Sequence, residues 1–159
     1  MGTVIDIFRS AEAGGPMESL VETALLANRG IPGDRYFADI GTFSEKPDRM
    51  RDPGRDLTLI EQEEVETFMT ETGLTLAPGA LRRNIVTRGI RLNPLVGARF
   101  QVGTALVEGV RLCEPCAYLA KLVDHRVLPG LVQRAGLRVR IVESGIVRRG
   151  DSLTGLRTV

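Results

Sequence analysis

Apolar and polar positions along the chain follow two periods, and those periods divide it into a few short elements. Residues 4–10 join β-branched side chains to partial alternation and predict a strand, which Ala13-Gly14-Gly15-Pro16 breaks. Residues 56–60 and 81–88 predict further strands. In 137–142, Leu137, Val139 and Ile141 alternate with Arg138, Arg140 and Val142, so the strand buries one face and presents a basic one. Residues 99–110 predict a hairpin or a glycine-bent strand pair. Helical spacing takes over where Val65, Phe68 and Met69 form an i, i+3, i+4 stripe. It predicts a helix over 61–72, with an acidic first turn that suits the helix dipole and Gly73 as its stop. Leu119, Leu122 and Val123 predict a second helix over 116–124. A short third one over 128–135 follows Pro129 and closes at Gly136. Residues 19–27 suit an early helical turn and a strand equally.

Turn signals decide between architectures. Glycines at 89, 97, 103 and 109 recur at hairpin-like spacing, which favours a small antiparallel barrel over parallel β-α-β units. The expected class is therefore β-rich α+β. The turn at 150–152 leaves only a short tail. The segment 41–55 is polar, carries Pro47 and Pro53 and several charges, and predicts a surface loop, read either as a lid or as a solvated insertion.

Composition narrows the function classes. The length, 159 residues, fits one domain over 1–159 with a proper core. A net charge of +1 provides no field for nucleic acid or an anionic membrane, and with no Trp and few aromatics there is little to stack bases. No apolar run approaches the roughly 18–20 residues that span a bilayer. The N-terminus lacks the basic and apolar regions of a signal peptide. The expectation is a cytoplasmic protein that binds neither nucleic acid nor membrane.

Both cysteines, Cys113 and Cys116, fall in Cys-Glu-Pro-Cys, where a strand-like run gives way to a helix-like one. A thiol at such a turn is exposed and lies near backbone N–H groups that favour a thiolate, which suits a sulfur nucleophile or a soft-metal ligand. Cys116 follows the stiffening Pro115, sits at the start of the predicted helix and has Lys121 nearby, so it is the preferred reactive sulfur. The plainer alternative is two small buried apolar residues. Two Cys do not complete a four-ligand zinc site, and His125 has no local partner ligand. No β-α-β pattern supports a thioredoxin-like motif. Arg82 and Asn84 share strand parity and face one way, Arg83 the other. Such an Arg/Asn pair suits a phosphate or a heterocyclic amide, or else these are solvent-facing charges. In 30–36 the glycines and Pro32 predict a tight turn with Asp34 and Arg35 at its lip. No Walker or Rossmann glycine pattern is present. The acidic cluster Glu61, Glu63, Glu64 and Glu66 reads as a solvated helix start.

Taken in order, Gly-Ile-Pro-Gly-Asp-Arg-Tyr (30–36), Leu-Arg-Arg-Asn-Ile-Val-Thr-Arg-Gly-Ile (81–90), Leu-Val-Gly-Ala-Arg-Phe-Gln-Val-Gly (95–103), Cys-Glu-Pro-Cys (113–116) and the ending 136–151 resemble MOSC domains, named for the C-terminal domain of molybdenum cofactor sulfurases. The resemblance covers most of the chain. It implies a closed or near-closed antiparallel or mixed β-barrel, similar to the pyruvate kinase barrel, with a few peripheral helices. It also implies the handling of sulfur or of the molybdenum cofactor (molybdopterin). Relatives include small bacterial reductases of N-hydroxylated compounds, in which a cysteine sulfur binds molybdenum. By motif, Cys116 resembles the metal-ligating, catalytic cysteine, with Cys113 as the alternative. Arg82 and Asn84 resemble the cofactor-contacting Arg-x-Asn pair, and Arg35, beside Asp34, a phosphate-contacting arginine. Between Arg82 and Asn84 this chain has Arg83, where those reductases often carry proline, and residues 8–10 do not match their basic N-terminal segment. No pyridoxal phosphate is expected, because that group belongs to a fused desulfurase domain.

The resemblance favours molybdenum cofactor bound through the Cys116 thiolate and reduction of a small N-hydroxylated substrate, with electrons from a redox partner. A second reading is a sulfur carrier that receives a Cys116 persulfide from a cysteine desulfurase. A third is a non-catalytic pterin- or partner-binding module. Whether the protein is an enzyme, a molybdenum-dependent oxidoreductase or a sulfur transferase, stays open at this point. The cofactor reading places the ligand between the 113–116 turn, the Arg82/Asn84 face and the 33–35 turn.

Overall fold

Period-two burial closes most of the strands around one core. The computed structural model describes residues 2–37 and 52–158. Its elements run β1 (Gly2–Arg9), β2 (Glu18–Ser19), β3 (Glu22–Leu25), β4 (Leu57–Glu61), α1 (Gln62–Thr72), β5 (Ile85–Arg88), β6 (Ala98–Val102), β7 (Ala105–Leu112), α2 (Ala117–Leu122), α3 (Val127–Gly130), β8 (Leu137–Glu143), β9 (Gly145–Arg148) and β10 (Ser152–Thr158). Hydrogen-bonded neighbours follow the order β10-β6-β7-β8-β4-β5-β1, and β1 pairs back to β10, so the seven strands form a closed barrel. All its pairings are antiparallel except β4 with β5, which is parallel. The barrel has no free edge along this closed circuit. β2 adds to β1, and β3 pairs with β9 as a separate ribbon.

Alternate side chains fill the barrel: Val4 and Ile7 from β1, Leu57 and Leu59 from β4, Phe100 from β6, and Leu137, Val139 and Ile141 from β8 are all buried in one cluster. Outward-facing Phe8, Ile60 and Val86 join Phe68 of α1, Leu119 of α2 and Leu131 in a second cluster between barrel and helices. β4 is therefore buried at all five positions, one face in each core. At Gly109 of β7 a Cβ would lie 2.0 Å from the Leu95 carbonyl oxygen, so only glycine allows that segment to approach the strand.

The helix over Gln62–Thr72 matches its apolar stripe, and Gly73 adopts φ +74 with its N–H on the Met69 carbonyl. Other expectations change. The strand predicted over 81–88 begins only at Ile85, because Arg82 has φ +62 and its N–H closes a turn on the Gly79 carbonyl. The helix predicted over 128–135 is the single turn Val127–Gly130; Gln133, at φ +61, lies outside helical geometry. The tail after 150–152 is the strand that closes the barrel. Residues 19–27 contribute strands, not a helical turn. Of the predicted 41–55 loop, residues 41–51 lie outside the described residues. Asp52 caps a 3-10 turn at Pro53–Arg55 by accepting from the Gly54 N–H at 2.8 Å. Among the described residues no helix is long and apolar enough to cross a membrane.

Candidate functional site

Cys116 is placed by the end of β7 and the start of α2. Its backbone is extended (φ −133, ψ 167), and its Sγ accepts from the Leu119 N–H at 3.4 Å. Sulfur thus takes the N-cap position that Ser or Asp usually fills. The residue is half-buried, and its side chain lines a cleft with Arg35, Tyr36, Arg82, Arg83, Tyr118 and Arg138. Cys113 is 1% exposed and does not line that cleft. Its N–H donates to the Gly136 carbonyl at 2.8 Å. Both cysteines are free thiols. Geometry therefore separates the two sulfurs that spacing alone left as alternatives: Cys116 meets solvent, and Cys113 packs inside.

The 30–36 turn delivers the next group. Asp34 is buried and holds the turn together: Oδ1 accepts from the Ser10 N–H at 3.0 Å and Oδ2 from the Tyr36 N–H at 3.2 Å. The Arg35 N–H donates to the Ser10 carbonyl at 2.7 Å, and its guanidinium pairs with Asp34 at 3.3 Å. The same guanidinium stacks 4.6 Å over the Tyr36 ring, at the cleft. Asp34 is thus a brace that presents Arg35; it does not line the cleft.

The 82–84 segment divides three ways. Arg82 reaches the cleft and donates to the carbonyls of Gly15 at 2.6 Å and Glu12 at 3.3 Å. Burial, and then the nearby Arg35 charge, lower its pKa below the usual arginine range, so an anion between the two guanidiniums would relieve both. Arg83, expected to face away, is turned inward among backbone carbonyls. Asn84 is buried: its Oδ1 accepts from the Thr58 N–H and hydroxyl, each at 3.1 Å, and its Nδ2 donates to the Phe8 carbonyl at 3.1 Å. The shared face expected for Arg82 and Asn84 does not form, because the left-handed backbone at Arg82 breaks the alternation. Asn84 supports the cleft from behind, through Thr58.

The three segments do converge. Cys116, Arg35 and Arg82 line one cleft with Arg138, and Arg83 also borders it while its guanidinium is committed to backbone carbonyls. Arg138 is not singled out by any motif, although the basic alternation of β8 points to it. Tyr36 and Tyr118 give no sequence signal beyond their neighbours. Lys121 does not line the cleft, and His125 is fully open to solvent, with 89% of its side chain exposed. Among the described residues no group of three His, Cys, Asp or Glu is placed to hold a metal ion. The acidic side chains at the start of α1 take separate partners: Glu63 accepts from Gly89 N–H, Glu64 pairs with Arg134 and Glu66 with Arg88. The cleft is partly open to solvent and has about 40 Å³ of room for water. A larger cavity of about 210 Å³ is lined by Phe8, Ile60, Val65 and Leu76 together with Arg82, Arg83 and Arg88, and Cys116 does not line it. That cavity shares Arg82 and Arg83 with the smaller cleft but lacks a cysteine, so the smaller cleft is the one that joins a thiol to arginines.

Several solved structures share the fold. YuaD from Bacillus subtilis superposes with a TM-score of 0.83 at 16% identity, over 100% of this chain and 98% of that one. YiiM from Geobacillus stearothermophilus gives a TM-score of 0.65 at 15% identity, over 97% of this chain and 74% of that one. YiiM from Escherichia coli gives 0.65 at 20% identity, over 100% and 71%. No curated protein matches the chain. The model of the MOSC domain matches residues 46–154, most of the barrel together with Arg82 and the cysteine turn, and the chain belongs to the MOSC domain family.

Proposed function

We propose that the protein binds molybdenum cofactor at the Cys116 cleft, with Cys116 as the sulfur ligand, and reduces small N-hydroxylated substrates. One observation carries this reading: Cys116, the less buried of the two free cysteines, lines the same cleft as Arg35, Arg82 and Arg138. The donor set suits the group. A thiolate is a soft ligand, and guanidiniums recognise phosphate oxygens in pairs. Arg35 and Arg82 are the residues that would hold the phosphate end, and Cys116 the metal. The cleft holds about 40 Å³ and is partly open to solvent, too small to enclose a whole pterin. When bound, the cofactor supplies two-electron oxygen-atom chemistry. The chain's own part is to fix the sulfur through the Leu119 N–H and to neutralise the phosphate. Electrons come from a redox partner protein.

The small volume also supports a second reading, in which Cys116 carries a persulfide received from a cysteine desulfurase and passes its outer sulfur to an acceptor thiolate. Elemental analysis, pterin fluorescence and intact mass of freshly purified protein separate the two. Molybdenum and pterin that disappear in Cys116→Ala support the first. Metal-free protein that becomes one sulfur atom heavier at Cys116 after incubation with a desulfurase supports the second. Cofactor retained in full by Cys116→Ala overturns the ligand assignment.

A further inference from the structure

Arg83 stands where strand alternation predicts an outward-facing charge, yet only 9% of it is exposed. Its guanidinium gathers carbonyls from three separate segments. Nε donates to Ala135 at 2.8 Å, Nη1 to Leu81 at 3.3 Å, and Nη2 to Cys113 at 3.0 Å and Glu114 at 3.4 Å. Besides the Cys116 bonds into α2, the turn is tied by the Cys113 N–H to the Gly136 carbonyl at 2.8 Å and by Glu114 Oε1, which accepts from the Gln133 N–H at 2.7 Å. Both of these lead to the chain just before β8. Among these ties, Arg83 alone joins the turn to the 81–84 segment that carries Arg82. It grips main-chain oxygens, so the hold depends on a planar fork of N–H donors, which a lysine ammonium does not reproduce.

We infer that Arg83 is the positioning residue of the cysteine turn: it fixes the register that puts Cys116 in the cleft and Cys113 in the core. The inference deepens the proposed function, since it takes Cys116 as the working sulfur, but the clamp itself needs no cofactor. It also accounts for an arginine at the middle of Arg-Arg-Asn. The next residue, Asn84, anchors to Thr58 and Phe8, so Arg83 leaves a fixed backbone and reaches the turn from a rigid base.

The test is native-state alkylation of the full-length, cofactor-free protein with iodoacetamide, each cysteine being followed by peptide mass spectrometry. In the wild type Cys116 reacts and Cys113 is protected. In Arg83→Met the Cys116-to-Cys113 rate ratio falls by at least about tenfold, because loss of the fork releases the turn locally. The change is independent of urea below the unfolding transition. Arg83→Lys gives an intermediate ratio. General destabilisation would instead expose both thiols together, in a urea-dependent way, and that result overturns the proposal. So does a ratio in Arg83→Met within about twofold of the wild type. Should Arg83→Met fail to fold, Arg83→Gln, which keeps a planar amide donor, is read by the same ratio. Cofactor content is measured separately. A shifted ratio in a protein that never binds molybdenum sinks the proposed function and leaves the clamp standing; an unshifted ratio in a cofactor-loaded protein does the reverse.

Discussion

Asn84 commits both ends of its amide to the fold. Replacing it by Ala strands the Thr58 N–H and the Phe8 carbonyl and takes the acceptor from the Thr58 hydroxyl, all at buried positions. The expected cost is about 3 kcal/mol, read as a lower urea midpoint at unchanged slope. Arg82 differs, since its guanidinium is half-exposed and tied to two loop carbonyls. Arg82→Ala should cost no more than about 1 kcal/mol of stability. If the two costs come out equal, Asn84 is not the internal bracket described. The contrast also marks what was legible at this scale. Residue types pointed to 82–84 as a polar cluster, but strand parity assigned their directions. Parity fails wherever one residue leaves the extended region, and Arg82 does so with a side chain that rarely takes positive φ. Cys116 was legible because its place depends on local order alone: strand, turn, helix start.

Among the elements, α1 was the easiest to read and is closed by contacts the sequence did not announce. Arg126 donates to the Thr72 carbonyl at the helix end at 3.1 Å, and Asp124 holds that guanidinium at 3.0 and 3.2 Å. The Arg126 hydrogen bond first, with backbone help, pulls the Asp124 carboxyl down from its ordinary 3.8 to about 2. A carboxyl with a depressed folded pKa stabilises the fold above its unfolded value and loses that contribution as pH falls through the folded one. The stability gap between wild type and Asp124→Asn should therefore be constant near neutral pH and shrink between 3.8 and about 2. Acid titrations followed by circular dichroism, run on both proteins, test this; a gap that persists below the lower value refutes it. Gly73 offers a cleaner case. It has φ +74, and a Cβ added there would meet nothing within 4 Å, so Gly73→Ala brings strain without a clash and should cost about 1 kcal/mol in thermal unfolding. Legibility at this scale followed periodicity. A stripe of three apolar residues marked α1, and strict alternation marked β8. The segment 152–158, Ser-Leu-Thr-Gly-Leu-Arg-Thr, is interrupted by Gly155 and holds too little pattern to announce β10.

Across the whole molecule, that weakly patterned strand determines whether the sheet is open or closed. Leu153 is the Cα partner of Gly2 on β1 and of Val102 on β6, and its side chain is 1% exposed in the core shared by the barrel strands. The seam thus contributes hydrogen bonds to both neighbours and the Leu153 side chain to the interior. Cleft and seam also share β1: its last residues reach Ser10, which holds Asp34 and hence Arg35, while its first residues pair with β10. Opening the seam would loosen the strand whose far end fixes a cleft cation. Leu153→Ala should cost about 3 kcal/mol, as expected for a leucine removed from a packed interior. Leu122→Ala, on the exposed side of α2, should stay within about 0.5 kcal/mol of wild type. Urea unfolding of the two variants measures both values. Near-equal costs would mean that β10 only covers an already stable sheet, and that closure adds little to the frame holding Arg35 opposite Cys116.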